Sequence, residues 1–404
     1  LIYGQTQFNT IFAPFMEASK KSYRQDINLR IIFSITLVAV MGVSTITPVL
    51  PDIRSDLNLT NQQTGLLVVF FSLPGIILTP LLGILADRFS RKVVLVPSLV
   101  LFAAAGFTCF FLRDFGWLLF FRVLQGAGAA SLGSINSTLV GDIYAKEERS
   151  KVMGYVAGIL SIGTASYPAI GGALSILGWH FPFLMPLLAL PVAWAVLYKL
   201  DNPEPKREGD FFTYLKSAFQ NIKSPSVISL FISSFVVFVI LFGAYLTYLP
   251  LLMRDKFDSS SFEIGLVLTS MSVVTAITST MLGKINSYIS ERKMVLLGFL
   301  SYVISFSIIP FIAQPLMMVI PIIIFGVGHG MNFPSIQSHL TKLAPLEYRG
   351  MFMSFNGMVL RIGQTTGPLI IGWFYFLGDH VAAFVGAAVL ALIMLVGLAI
   401  YLKF

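Results

Sequence analysis

Apolar residues come in blocks along this chain. Stretches of some twenty nearly uncharged positions alternate with short polar connections. Twelve are read, at about 31–50, 64–85, 93–112, 117–141, 152–177, 181–200, 226–250, 262–282, 294–313, 316–340, 351–376 and 381–402. A helix rises 1.5 Å per residue, so roughly 20 residues cross a bilayer core, and each stretch predicts one spanning helix. The boundaries least marked by polar residues are those of only a few positions, such as 178–180 and 314–315. The longest polar connection, residues 201–225, divides the stretches six and six. The predicted organisation is a cytoplasmic N-terminal segment over 1–29, a six-helix bundle over 30–200, a cytoplasmic linker over 201–225 and a second six-helix bundle over 226–404.

Composition agrees with an all-α integral membrane fold. Of 404 residues, 56% are hydrophobic and 11% charged, with a mean hydropathy of +0.83. Soluble domains carry about 25% charged residues. The net charge of +8 raises the question of nucleic acid. The basic residues, however, sit in short clusters between apolar runs, which fits membrane topology and not a nucleic-acid partner. The single cysteine, Cys109, forms no intramolecular disulfide. The first apolar run begins near Arg30 without a small-residue cleavage site, so no secretory leader is expected. Residues 1–28, with Lys20, Lys21 and Arg24, read equally as an interfacial helix or a tail. With the N-terminus inside, the outer loops hold only Arg54, Arg113, Arg254 and Lys256 of the 27 basic residues. Arg122 and Arg361 fall within spans, and all the others lie on the inner side. That asymmetry predicts both termini in the cytoplasm.

An internal repeat supports two halves. At a constant shift of 200 residues Gly83 meets Gly283 and Ser90 meets Ser290. Gly126 and Gly128 meet Gly326 and Gly328, and Glu147 and Arg149 meet Glu347 and Arg349. Gly163, Pro168 and Gly172 meet Gly363, Pro368 and Gly372. The shared Gly/Pro/Gly spacing implies two six-helix bundles related by a parallel repeat.

The connection GILADRFSRK, residues 83–92, sets Asp87, Arg88, Arg91 and Lys92 between two apolar runs. With Gly83, it resembles the loop motif between helices 2 and 3 of the major facilitator superfamily, in its twelve-helix drug:proton antiporter branch. Ser90 departs from that motif, where glycine is usual. Arg122, Gln125, Gly126, Gly128, Ala129 and Ala130 are similar to the helix 4 motif. Gly163, Pro168, Gly171 and Gly172 are similar to the antiporter motif of helix 5, with Tyr167 in place of glycine. Gly367 and Pro368 repeat its Gly-Pro pair in helix 11. The resemblance covers about residues 30–402. It implies that the loop is a latch closing the cytoplasmic side, with Asp87 facing the start of helix 11 and Arg91 paired to Asp142. Arg88 and Arg149 join these gating candidates. The helix 5 and helix 11 glycines and prolines would serve close packing and a pivot between halves.

Charges within spans carry the chemical information, because one costs roughly 2.5–3.5 kcal/mol at mid-span on insertion scales. Arg122 lies about 8 Å inside helix 4, and Arg361 about 18 Å inside helix 11, by 1.5 Å per residue. The resemblance implies a cavity lined by helices 1, 4, 7 and 10. Each offers a polar pair spaced i, i+3, and so on one helix face: Ser44 and Thr47, Arg122 and Gln125, Tyr245 and Tyr248, His329 and Asn332. Arg361 with Gln364 adds a fifth. No Asp or Glu falls at the middle of any span. The carboxylate that exporters of cationic drugs usually carry is missing, and a bare basic cavity favours anionic, zwitterionic or neutral amphipathic compounds.

The function implied is a secondary active exporter of small amphipathic compounds, a drug-resistance efflux antiporter working by alternating access. A proton gradient, and no bound cofactor or metal, would drive it from a bacterial cytoplasmic (inner) membrane. Its partners would be the bilayer and a small-molecule or lipid-like substrate, and a monomer is expected. Arginine does not give up its proton, so proton coupling falls to His329, Asp142 or Asp87. Rival readings are a lipid or lipid-linked flippase, an organic-anion importer or exchanger, and a receptor or scaffold on a transporter fold. No nucleophile–base or metal-ligand spacing within the spans points to an enzyme.

Overall fold

A computed structural model describes residues 26–201, 225–343 and 349–401. Of the predicted segments, 1–25 and most of the linker lie outside it. The described chain is helical throughout, without a strand. Ten spans are separate: α1 (Ile27–Asp56), α2 (Asn61–Arg88), α3 (Arg91–Phe111), α4 (Phe115–Ile143), α5 (Lys146–Leu174), α6 (Phe181–Lys199), α7 (Pro225–Phe257), α8 (Ser261–Asn286), α9 (Glu291–Phe311) and α10 (Pro315–Leu343). The last two run together as Arg349–Tyr401, with non-helical backbone at Gly378 and at Asp379, whose φ is 56°. The arms on either side, α11 (349–377) and α12 (380–401), are the eleventh and twelfth helices. The chain is thus a multi-pass membrane protein, with a belt of exposed Leu, Ile, Val and Phe where lipid tails would lie.

The repeat is visible in local geometry as well as in identities. Thr60 caps α2 in a box with Gln63, and Ser260 caps α8 in a box with Glu263, 200 positions on. Asn58 and Asp258 take left-handed φ values of 52° and 51° in the turns just before. Both residue types tolerate that conformation. Thr79 donates to the Ala130 carbonyl at 2.9 Å, and Ser279 to the Gly330 carbonyl at 3.3 Å. The first helix of each half leaves α geometry at a corresponding depth. In α1 this is the 3-10 turn Thr47–Val49, and in α7 the π-helical stretch Ile240–Tyr248.

The sequence reading pairs Arg91 with Asp142. The structure forms that ion pair, at 3.0 Å. Its repeat equivalents are Glu291 and Lys342, paired at 2.7 Å with the charges exchanged. Glu291 also faces His339 at 2.9 Å and Ser338 at 3.1 Å.

Two antiparallel seams join the halves. In one, α5 lies on α8: a Cβ on Gly172 would stand 2.3 Å from the Ser261 carbonyl oxygen, and one on Gly265 would stand 2.4 Å from the Pro168 oxygen. Only glycine lets backbones approach this closely, which is how small residues favour helix association in lipid. In the other seam α2 lies on α11, with Gly65 near Pro368 and Gly75 against Arg361.

Candidate functional site

The two ends of the molecule differ. Arg54, Asn61, Arg254 and Ser261 make hydrogen bonds between the halves, and all four lie at the end holding the α1–α2, α7–α8 and α11–α12 turns. Arg54 donates to both carboxylate oxygens of Asp255, at 2.9 and 2.5 Å. Arg254 reaches across to Asp52, which also accepts from Ser261 at 2.5 Å. Asn61 donates to Tyr375 at 2.7 Å and to Asp255 at 3.5 Å, and His380 faces the same Asp255 at 2.8 Å. Beneath this clasp an apolar plug closes the gap. Ile46, Val49, Leu50, Leu67 and Val68 of the first half pack in one cluster with Phe242 of the second. At the other end the seam helices part. A Cβ on Gly83, Gly158, Gly283 or Gly357 would meet nothing within 4 Å.

The polar pairs from the sequence reading distribute unevenly around this opening. Arg122 is 1% exposed. Its Nε donates to the Leu67 carbonyl at 3.1 Å, and its Nη1 to the Gly42 carbonyl at 2.9 Å and Gln125 Oε1 at 2.8 Å. The Phe71 ring lies 4.3 Å from the guanidinium carbon. Arg122 and Gln125 therefore tie α1, α2 and α4 together inside the first half. Tyr245 is buried and donates to the Leu268 carbonyl at 2.6 Å, while Tyr248 is buried beside Tyr375. His329 Nδ1 bonds the Tyr302 hydroxyl at 2.7 Å. The Asn332 amide donates to the Val295 carbonyl and accepts from the Phe299 N–H, binding α10 to α9. Thr47 donates to its own helix, at the Val43 carbonyl, and Ser44 is half-buried.

Arg361 and Gln364 are placed otherwise. Both are half-buried at mid-span, where α2 and α11 begin to diverge. Arg361 Nη1 donates to Gln364 Oε1 at 3.1 Å, and no carboxylate of the described residues pairs with it. Elsewhere in the second half Phe238 lies 5.5 Å from Phe333 and 5.7 Å from Phe242, ring to ring.

Of the glycine and proline gating candidates, Pro168, Gly172 and Pro368 lie on the seams, and Gly163, Gly171 and Gly367 pack within their own half. Gly163 and Gly171 press on α1, Gly172 and Pro168 on α8, Gly367 on α7 and Pro368 on α2. Arg149 donates to the Tyr144 carbonyl at 3.0 Å. The Asp87 and Arg88 side chains, and residues 344–348 opposite, lie outside the described residues.

A family model for the Major Facilitator Superfamily matches residues 32–261 and 243–404. The chain belongs to this superfamily. Among its relatives is Multidrug resistance protein 1 of Bacillus subtilis (strain 168), 26% identical over 357 residues, covering 87% of this chain and 90% of that one. Quinolone resistance protein NorA of Staphylococcus aureus (strain N315) is 27% identical over 359 residues, covering 84% and 87%. The fold is also that of solved superfamily transporters. A bacterial homologue of the human lysosomal transporter Spinster, inward-facing and unoccupied, gives a TM-score of 0.78 at 17% identity, over 95% of this chain and 99% of that one. The human organic anion transporter MFSD10 gives 0.69 at 18%, over 94% and 100%. The expected superfamily, drug-efflux resemblance and twelve-helix fold are thus borne out.

The clasp of Asp52, Arg54, Arg254 and Asp255 was not among the candidates read from the sequence. A signal was available. Arg54 and Arg254 are two of only four basic residues assigned to the outer loops, and they match at the 200-residue shift.

Proposed function

We propose that this superfamily member is a secondary active exporter of small amphipathic compounds, driven by the proton gradient and working by alternating access. Both termini lie in the cytoplasm in this reading, so the open end faces inward and the clasped end outward. One observation carries it: cross-half hydrogen bonds between described residues gather at a single end, while the seam glycines toward the other end face empty space. A transporter must close one side as it opens the other, and two bundles rocking about a midplane site do this. The resistance functions named for the B. subtilis and S. aureus relatives support export as the direction.

Two measurements test the reading. Everted vesicles containing the protein should accumulate a lipophilic fluorescent dye when energised, and lose that accumulation on adding a protonophore. Dye movement indifferent to the protonophore overturns proton coupling. Single cysteines at Ser287 and Glu147, in a Cys109→Ser background, should react with impermeant thiol reagents only from the cytoplasmic side. Cysteines at Ser55 and Lys256 should react only from outside. The opposite labelling pattern reverses the orientation and makes the structure outward-facing.

A further inference from the structure

Two arginines lie deep within the spans, and their surroundings differ. Arg122 donates to two backbone carbonyls and one amide oxygen and lies over an aromatic face. Arg361 has one hydrogen bond from its guanidinium, to Gln364, leaving Nε and Nη2 without a partner among the described residues. A charge removed from water is costly unless it is paired and hydrogen-bonded. Arg122 is fully buried and finds its hydrogen bonds within the first half, whereas half-buried Arg361, among the described residues, keeps donors free where the opening begins.

The surroundings of Arg361 are shaped around it. A Cβ at Gly75 of α2 would stand 3.2 Å from Arg361 Cδ and Nε, so a side chain there would crowd the arginine stem. The residue thus bridges the two halves at the point from which the inward opening widens. Two positions on, and so on the opposite side of α11, a Cβ at Gly363 would lie 2.9 Å from Phe238 Cβ of α7. Phe238 joins Phe242 and Phe333 in an apolar aromatic wall. The repeat-related position is Ser161, whose hydroxyl donates to the Ala157 carbonyl of its own helix. The cation therefore belongs to one half only and is not part of the shared scaffold.

We propose that Arg361, with Gln364, binds the anionic group of an amphipathic substrate, a carboxylate or phosphate monoester. The planar guanidinium suits two-pronged recognition of such oxyanions. This deepens the export reading and rests on it for the word substrate. The binding site itself is measurable without transport.

The test uses purified protein in phosphatidylcholine nanodiscs and two fluorescent probes, dansylated undecanoic acid and its neutral amide. Wild type should bind the acid at least about tenfold tighter than the amide, the size of a charge-assisted hydrogen bond. Arg361→Gln should abolish that preference while changing amide binding less than about twofold, so retained amide binding certifies a folded site. Arg361→Lys should keep part of the preference. Ser161→Ala should leave both affinities unchanged. Displacement of the acid by lysophosphatidic acid supplied in the bilayer identifies a lipid headgroup as the source. Displacement only by soluble carboxylates identifies a free anion. Absence of an acid preference in wild type, or equal loss of both probes in Arg361→Gln, overturns the site. Dye export that persists in that case leaves the export reading standing. Acid binding without gradient-driven movement of any probe sinks export and leaves the anion site.

Discussion

Arg54 and Arg254 occupy equivalent places in the two halves, and each binds an aspartate of the other half. Arg54 takes Asp255, and Arg254 takes Asp52. The arginines match at the 200-residue shift, but their aspartates do not: Leu252 stands at the position of Asp52, and Ser55 at that of Asp255. The clasp is made only when the halves meet at this end, so it favours the present state over one in which that end is open. Both pairs are partly exposed, which limits each to about 1 kcal/mol or less after solvent screening. That is still about a fivefold bias in a two-state equilibrium.

Breaking one arm should therefore shift the population without unfolding the protein. Arg54→Ala or Asp255→Asn should raise thiol labelling of a cysteine at buried Val68, applied from the clasped side, by about two- to fivefold. Exchanging the pair, Arg54→Asp with Asp255→Arg, should return labelling toward wild type. The exchange is imperfect because Asn61 and His380 also face Asp255. Unchanged labelling in both single variants would mean that this arm does not bias the two states.

The exchanged charges of Arg91–Asp142 and Glu291–Lys342 give a second prediction. If what matters is the tie between helix ends, and not which end holds which sign, the first half should accept the second half's order. Arg91→Glu and Asp142→Lys should each lower transport. The double variant should recover more activity than either single change leaves. A double variant no better than the worse single one would mean that the sign of Arg91 itself is read by other groups.

Twelve spans and two halves are legible in the sequence because runs of twenty apolar residues admit few other structures, and because the repeat holds one constant shift. The Gly378–Asp379 break is legible too, as the gap between the runs ending at 376 and starting at 381. Which face of each helix meets the cavity is not. An i, i+3 spacing places Arg122 beside Gln125 but says nothing of what stands opposite. The carbonyls that take up Arg122 come from Leu67 and Gly42, 55 and 80 positions away. His329 and Asn332 likewise turn toward α9, because Tyr302 and the Val295 and Phe299 backbone offer them hydrogen bonds in a medium that supplies none. The clasp is missed for a related reason: an exposed loop charge looks like ordinary topology until its partner on the other half is known.

The placement of Arg122 predicts a stability phenotype. Arg122→Lys keeps the charge but cannot reach the Leu67 and Gly42 carbonyls and Gln125 together. Each hydrogen bond lost from the buried guanidinium costs about 1.5–3 kcal/mol. The detergent-solubilised variant should unfold several degrees below wild type, while its remaining folded fraction binds amphipathic probes with unchanged affinity. A variant of wild-type thermal stability that loses probe binding would move Arg122 from the scaffold to the binding surface.

The seam glycines make the last prediction, in which two substitutions on one helix act in opposite directions. On α5, Gly172 touches the Ser261 carbonyl region so closely that a Cβ would stand 2.3 Å from that oxygen, whereas a Cβ on Gly158 meets nothing within 4 Å. Gly172→Ala must push α5 from α8 at the clasped end, because a carbonyl oxygen of α8 cannot fold away as a flexible side chain does. It should raise labelling of clasped-end cysteines and lower that of cysteines at the open end. Gly158→Leu is accommodated as the structure stands, so folding and open-end labelling should match wild type. When the halves rock to close that end, the added side chain meets the facing helix and resists. Dye export by Gly158→Leu should then fall severalfold with probe binding intact. If both variants shift labelling in the same direction, or Gly158→Leu exports at the wild-type rate, the seam between α5 and α8 does not act as a rocking contact and the pivot must lie elsewhere.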